Sequence, residues 1–152
     1  MTRRAPPPAL LGGSPDEVEA QFYEALQGGD IERLMALWAD DEDIVCIHPG
    51  GPRVIGAAAI RASFEAIFAR GGIPVQPVQV HRLRLAGSAL HHLVERIQVS
   101  GEQGRQTAWV LVSNHFVKTL KGWRLAAHHA SPGQLQEPAA TGLSGDAPGM
   151  LH

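Results

Sequence analysis

A single cysteine, Cys46, stands among the 152 residues. No internal disulfide can form, which fits a reducing cytoplasm. There is no basic run and the net charge is only −2 at pH 7, which argues against nucleic acid as a partner. The apolar stretches are far too short to span a membrane, so no membrane partner is expected either. The start, MTRRAPPPALLGG, lacks a continuous apolar core and makes a poor signal peptide. The local histidine and cysteine spacings of common zinc sites are missing. No internal repeat is visible.

What is there suits one globular domain: the length is adequate and 44% of the residues are hydrophobic. Residues 1–13 are rich in proline and glycine and read as a flexible arm. From about Gly133 the chain again loses periodicity, so 133–152 reads as a flexible tail. The folded body is then 14–132.

Ser14-Pro15-Asp16-Glu17 is a helix start: Ser14 caps, Pro15 suits the first turn, and Glu17 completes a capping box. Val18, Phe22, Ala25 and Leu26 follow helical spacing. Gly28-Gly29 stops that helix, and Asp30 caps a second with Ile31, Leu34, Met35 and Trp38 on its inner stripe. A third, about 57–69, turns Ile60, Phe64, Ile67 and Phe68 inward and ends at Gly71-Gly72. Between them, 43–48 reads as a short strand. Segments 75–85, 89–100, 105–118 and 122–131 alternate and are separated by turns, which is a four-stranded antiparallel meander. The fold class is α+β, with three N-terminal helices covering one face of a curved antiparallel sheet. Such a cone has an open mouth where small-molecule pockets form.

His48 ends the short strand, held against Pro49 and a Gly-Gly turn. It is either a working group facing a cavity or a polar strand end. Buried in the same strand, Cys46 reads as a small hydrophobe. Asp40-Asp41-Glu42-Asp43 is either a cation site or, more simply, a solvated acidic loop.

The order of motifs resembles the NTF2-like (cystatin-like) superfamily, and within it the SnoaL-like and ketosteroid-isomerase-like proteins. The likeness is carried by Glu24-Ala25-Leu26-Gln27-Gly28-Gly29-Asp30, Ala36-Leu37-Trp38-Ala39-Asp40-Asp41, His48-Pro49-Gly50-Gly51 and Gly56-Ala57-Ala58-Ala59-Ile60-Arg61. Asn114-His115-Phe116, Gly122-Trp123-Arg124 and His128-His129-Ala130-Ser131-Pro132 extend it to nearly all of 14–132. The fold hosts isomerases, cyclases, dehydratases and non-catalytic modules, so it does not name an activity.

Similarity to ketosteroid isomerases implies roles. Their general base is an Asp before a Pro at the end of the first strand, and His48 before Pro49 matches it. Their Asp-His-Phe triplet supplies an oxyanion donor, and Asn114-His115-Phe116 matches it with Asn for Asp. Their first-helix Tyr falls at Phe22, and another pocket Tyr falls at Phe64. Imidazole is a competent base near neutral pH, and an amide is a competent oxyanion donor. The missing phenol removes about 3 kcal/mol of transition-state stabilisation, so steroid isomerisation itself is not expected. Tyr23 lies about 100° around the helix from Phe22 and is not expected to substitute. Asn114 has a second reading, as an amide that satisfies a backbone group inside the fold.

Strict alternation assigns faces. Val110, Val112, Asn114 and Phe116 share one face, and Trp109, Leu111, Ser113 and His115 the other. Trp123, Leu125, Ala127, His129 and Ser131 form the more apolar face of the last strand, so His129 is expected inward. One of His91/His92 joins the candidates. No Asp or Glu is expected inside the pocket. Phe22, Trp38, Phe64 and Phe68 read as plain core, or as a pocket wall together with Val112, Phe116 and Ala127. His48 with His129 and a third ligand would make a metal site, a weaker alternative. The outer sheet face is too apolar to be left in water, so a second copy is expected to cover it as a homodimer, which the resemblance also implies. The leading expectation is a homodimer that binds a small hydrophobic ligand and, if an enzyme, works by proton transfer without a cofactor. The rival is an association module like that of calcium/calmodulin-dependent kinases, which shares the fold.

Overall fold

The computed structural model describes residues 12–140. The expected arm and tail therefore lie outside the described residues, except for 12–13 and 133–140. Helix α1 spans Pro15–Gly28, α2 Ile31–Met35 and α3 Ala57–Phe68. The strands are β1 Val45–Ile47, β2 Arg53–Ile55, β3 Val75–Arg84, β4 Ser88–Gly101, β5 Gly104–Thr119 and β6 Gly122–Ala130. They form one sheet in the order β2-β1-β6-β5-β4-β3. Every pairing is antiparallel except β1 with β6. This is the α+β arrangement that the residue pattern implies, with β2 added, and it agrees with the fold that the resemblance implies. Three residues are too few to show alternation, so β2 carries no periodic signal.

Local chemistry sets the helix ends. The Ser14 hydroxyl accepts from the Glu17 N–H at 3.1 Å, and the Asp30 carboxylate accepts from the Arg33 N–H at 3.1 Å. Gly29 closes α1 at φ 64°, a left-handed cap that only glycine adopts without strain. Gly72 passes so close to α1 that a Cβ would overlap the Gln27 carbonyl oxygen. The two Gly-Gly stops thus also pack against each other.

The core lies between the helices and the inner face of the sheet. Val18, Phe22, Leu26, Leu34, Ile60 and Phe64 meet Cys46, Leu93, Val112, Phe116 and Leu125 there. One irregularity decides what else faces inward. Along β5, His115 and Phe116 are adjacent, but their partners on β6 are Ala127 and Leu125. Ala126 is an extra residue, a β-bulge, and it reverses the alternation beyond it. Leu125 therefore faces the core opposite Phe116, and His128 faces it opposite Asn114.

After β6 the chain keeps contact with the sheet. Gln134 exchanges two backbone hydrogen bonds with Trp109, and the Gln79 side-chain amide donates to Glu137 at 2.7 Å.

Candidate functional site

The site is built on the inner faces of α1, β4, β5 and β6. On α1, Glu19 and Tyr23 stand four residues apart, one turn along the buried stripe. On β4, His91 and Glu95 alternate with the core residue Leu93. Asn114 of β5 lies opposite both His91 and His128. All six side chains are buried, so each polar atom needs a partner.

Most of these atoms find a partner within the cluster. The Asn114 amide nitrogen donates to Glu19 Oε2 at 3.0 Å and to Tyr23 Oη at 3.3 Å. The Tyr23 hydroxyl donates to Glu95 Oε2 at 2.8 Å. His91 Nδ1 lies 2.9 Å from Glu19 Oε1. Its Nε2 lies 3.7 Å from Asp16, which accepts from Arg82 at 2.8 Å at the surface. With its amide protons committed, Asn114 turns Oδ1 toward His128 Nδ1 at 2.6 Å. That oxygen can only accept, so His128 carries its proton on Nδ1. Its Nε2 has no hydrogen bond among the described residues.

Burial governs the ionisation here. It holds His128 down to about 3, with help from the charges of His48 and His129. It pushes the Glu95 carboxyl up to about 7, opposed by the bond from Tyr23 and reinforced by Glu19. It raises the Tyr23 phenol well above its ordinary value, followed by repulsion from Glu95. His128 is therefore neutral at pH 7.

His48 follows β1 directly. Its Nε2 lies 2.9 Å from Ser63 Oγ on α3. The Ser63 hydroxyl donates to the Ile60 carbonyl at 2.7 Å, so it accepts from the ring. With Ser63 as acceptor the ring proton sits on Nε2, which also lies 3.8 Å from Cys46 Sγ, and Nδ1 is unprotonated. The ring is half-buried, and burial lowers its proton affinity. It meets Phe64 edge-on at 4.8 Å, Phe64 meets Phe22 at 6.4 Å, and Phe22 meets His128 at 5.1 Å between ring centroids. Cys46 is the register partner of His128 and lies two residues before His48. The two imidazoles are thereby brought to one face, edged by Phe22 and Phe64.

Several expectations are corrected. His129 is exposed and His128 is the buried ring, because the bulge at Ala126 breaks the alternation assumed for β6. For the same reason Ala127 pairs with His115 on the outer face and lines no inner wall. His48 and His129 consequently face opposite sides and cannot share a metal. Among the described residues, no three His, Cys, Asp or Glu side chains are placed to hold one. Carboxylates do enter the interior, as Glu19 and Glu95. Tyr23 does reach Asn114, because the phenol is long enough to span from the flank of α1.

Phe22, Phe64, Val112 and Phe116 are fully buried, and Phe68 is half-buried against Phe64. Trp38 bridges to Leu125 and lines a separate open concavity of about 820 Å³. That concavity also takes Asp40, Asp41, Asp43, Lys121 and Arg124. Glu19 and Tyr23 share the i, i+4 spacing of the α1 stripe, and His91 and Glu95 share the parity of Leu93. Those were the signals available in the sequence for the polar cluster.

Cys46 is completely buried, and burial, followed by the charge on Glu95, pushes its thiol up to about 12. The thiolate is the reactive form. A thiol reagent at mildly alkaline pH should therefore leave the folded protein unlabelled and modify one thiol per chain once guanidinium unfolds it. Fast labelling of the folded protein would show that β1 opens.

A profile of the SnoaL-like domain matches residues 16–134. The chain belongs to the SnoaL-like family. Among solved structures, a candidate calcium/calmodulin-dependent protein kinase type II association domain from Thiobacillus denitrificans is 32% identical. It aligns over 80% of this chain and 96% of its own, with a TM-score of 0.71. An NTF2-like family protein from Streptomyces avermitilis, described as a candidate dehydratase, is 31% identical over 75% of this chain and 90% of its own, with a TM-score of 0.67. A protein with a cystatin-like fold from Nostoc punctiforme shares the fold at 16% identity, over 81% of this chain and 90% of its own, with a TM-score of 0.63. A search of curated proteins finds no match. Among the described residues, no helix of this SnoaL-like chain is long and apolar enough to cross a membrane.

Proposed function

We propose that this SnoaL-like protein binds a small apolar molecule between α1, α3 and the inner sheet face, and moves a proton on it without a cofactor. The observation that carries the reading is the pair of imidazoles, His48 and His128, on one inner face beside Phe22 and Phe64. An imidazole with a free lone pair is a general base at neutral pH. His48 Nδ1 takes a proton from a substrate carbon and leaves the electron pair in the substrate. The imidazolium then returns the proton to another atom in an isomerisation or cyclisation. In a dehydration it gives the proton to a departing hydroxyl, which leaves as water. The ring ends neutral. Asn114 is a positioning residue, because its amide protons are held by Glu19 and Tyr23 and its oxygen orients His128. The relative described as a candidate dehydratase supports this class of reaction.

The test is thermal unfolding against a panel of apolar carbonyl and hydroxyl compounds, then NMR of each hit in heavy water. A ligand of the folded state should add about 2.7 kcal/mol at a hundredfold excess over its dissociation constant. The hit should take up deuterium at carbon, at a rate at least about a hundredfold lower in His48→Ala. Uptake unchanged in the variant removes His48 from the mechanism.

A second reading concerns association. Leu83, Leu90, His115, Ala127, Val45 and Ile55 form one register row across the outer face. Leu83, Leu90 and Ile55 are exposed, an apolar row that a partner would cover. The relative described as a kinase association domain favours self-association, and we infer a sheet-to-sheet homodimer. Light scattering should give twice 16.3 kDa. A monomer overturns the pairing, and a ring of many subunits moves the weight to assembly.

A further inference from the structure

We propose that residues 1–11 of this chain occupy the open concavity lined by Trp38, with Leu10 and Leu11 on its apolar floor and Arg3 and Arg4 at its acidic rim. The proposal concerns a second surface and does not depend on the reading of the inner face given above.

The concavity has a volume of about 820 Å³. That is the size of a small-ligand cleft, room for a few residues of extended chain but not for a folded partner. Val117 and Thr119 line it and share the parity of His115 on β5, so it opens off the outer face, away from His48 and His128. Its lining is divided by chemistry. Met35, Trp38, Ile44, Val117 and Leu120 are apolar, and Leu120 in the β5–β6 turn is fully exposed. Asp40, Asp41 and Asp43 come from the segment before β1, and Lys121 and Arg124 from the β5–β6 hairpin. The three carboxylates are exposed. Asp41 accepts from the Asp43 N–H at 2.8 Å, and none of the three is paired with a cation among the described residues.

The first described residue shows where the preceding segment arrives. The Gly12 carbonyl accepts from the Trp123 N–H at 2.7 Å. Gly12 passes so close to the hairpin that a Cβ would overlap Arg124 Nη1. The preceding segment is therefore tied to the basic wall of the concavity. Counted back from Gly12, Leu11 and Leu10 come first, then Ala9 and Pro8-Pro7-Pro6, then Arg4 and Arg3. The order suits the lining, with apolar residues nearest the tie and cations well beyond it. A proline run favours an extended chain of about 3.1 Å per residue, so the stretch from Arg4 to Leu11 reaches about 25 Å, enough to cross a concavity of this volume. Two arginines then meet carboxylates that have no other cation, and two leucines leave water together with Leu120.

Trypsin tests this on the full chain at neutral pH and low salt, with loss of residues 1–4 read by intact mass. Cleavage follows the fraction of time that a segment is undocked. Loss should be at least about tenfold slower in the unaltered protein than in Asp40→Asn/Asp43→Asn or in Leu10→Ser/Leu11→Ser. Raised salt should quicken it in the unaltered protein and change the Asn variant little. Circular dichroism checks that both variants are folded. Equal rates in all three proteins overturn the proposal. Protection retained by either variant overturns the assignment to this concavity. Protection that grows with protein concentration gives the segment to a second copy and overturns its return to its own chain.

Discussion

Replacing Asn114 with alanine should cost about 3–5 kcal/mol of folding stability, the scale of breaking a buried, charge-bearing network. The side chain is 1% exposed and joins three elements. Its loss removes a donor from Glu19, removes a donor from Tyr23, and leaves the His128 Nδ1–H without an acceptor. None of the three groups can turn to water. Urea unfolding at neutral pH reads the loss as a lower midpoint at unchanged slope. Glu102→Ala, in the exposed turn between β4 and β5, should stay within about 0.5 kcal/mol. A loss under about 1 kcal/mol for Asn114→Ala would mean that water replaces the amide and that the network does not hold His128.

Two buried groups should give the protein a flat pH profile by opposing each other. His128 falls from 6.5 to about 3 on folding. Its contribution is full above the unfolded value and is lost as pH falls towards the folded one. Glu95 rises from 4.5 to about 7. Its contribution is present below the unfolded value and is lost as pH rises through the folded one. Between about pH 7.5 and about pH 4.5, each is worth about 3 kcal/mol at 1.4 kcal/mol per tenfold change in proton affinity, with opposite signs. Unfolding midpoints measured across that range should change little from these two groups in the unaltered protein. His128→Gln should gain stability relative to it on acidification, and Glu95→Gln should lose it. Parallel profiles for all three proteins would show that neither group titrates as its burial requires.

Much of the frame was readable because its signals are local. Ser14, Asp30 and the Gly-Gly pairs mark helix ends through their own backbone chemistry, and each long strand carries enough alternating residues to declare itself. His48 was legible for the same reason, as a run of β-branched residues stopped by proline. Which histidine of the 128/129 pair faces inward was not legible. The answer depends on one extra residue at Ala126, and an alanine there looks like any other strand alanine. The buried carboxylates were missed for a different reason. Glu19 and Glu95 are tolerated inside only because His91, Asn114 and Tyr23 arrive from other elements to meet them. A polar residue on an apolar stripe shows no partner until the chain is folded.

The bulge at Ala126 has a bearing on how relatives of this chain are compared. Beyond it, position in the sequence and position in space fall out of phase by one residue. A histidine that aligns with His128 is its counterpart only in a protein that also inserts a residue into this strand. Where the strand runs straight, the same column holds a ring that looks out from the sheet. Relatives with identical histidine pairs can therefore carry different interiors, and the backbone register, more than the histidines themselves, tells them apart.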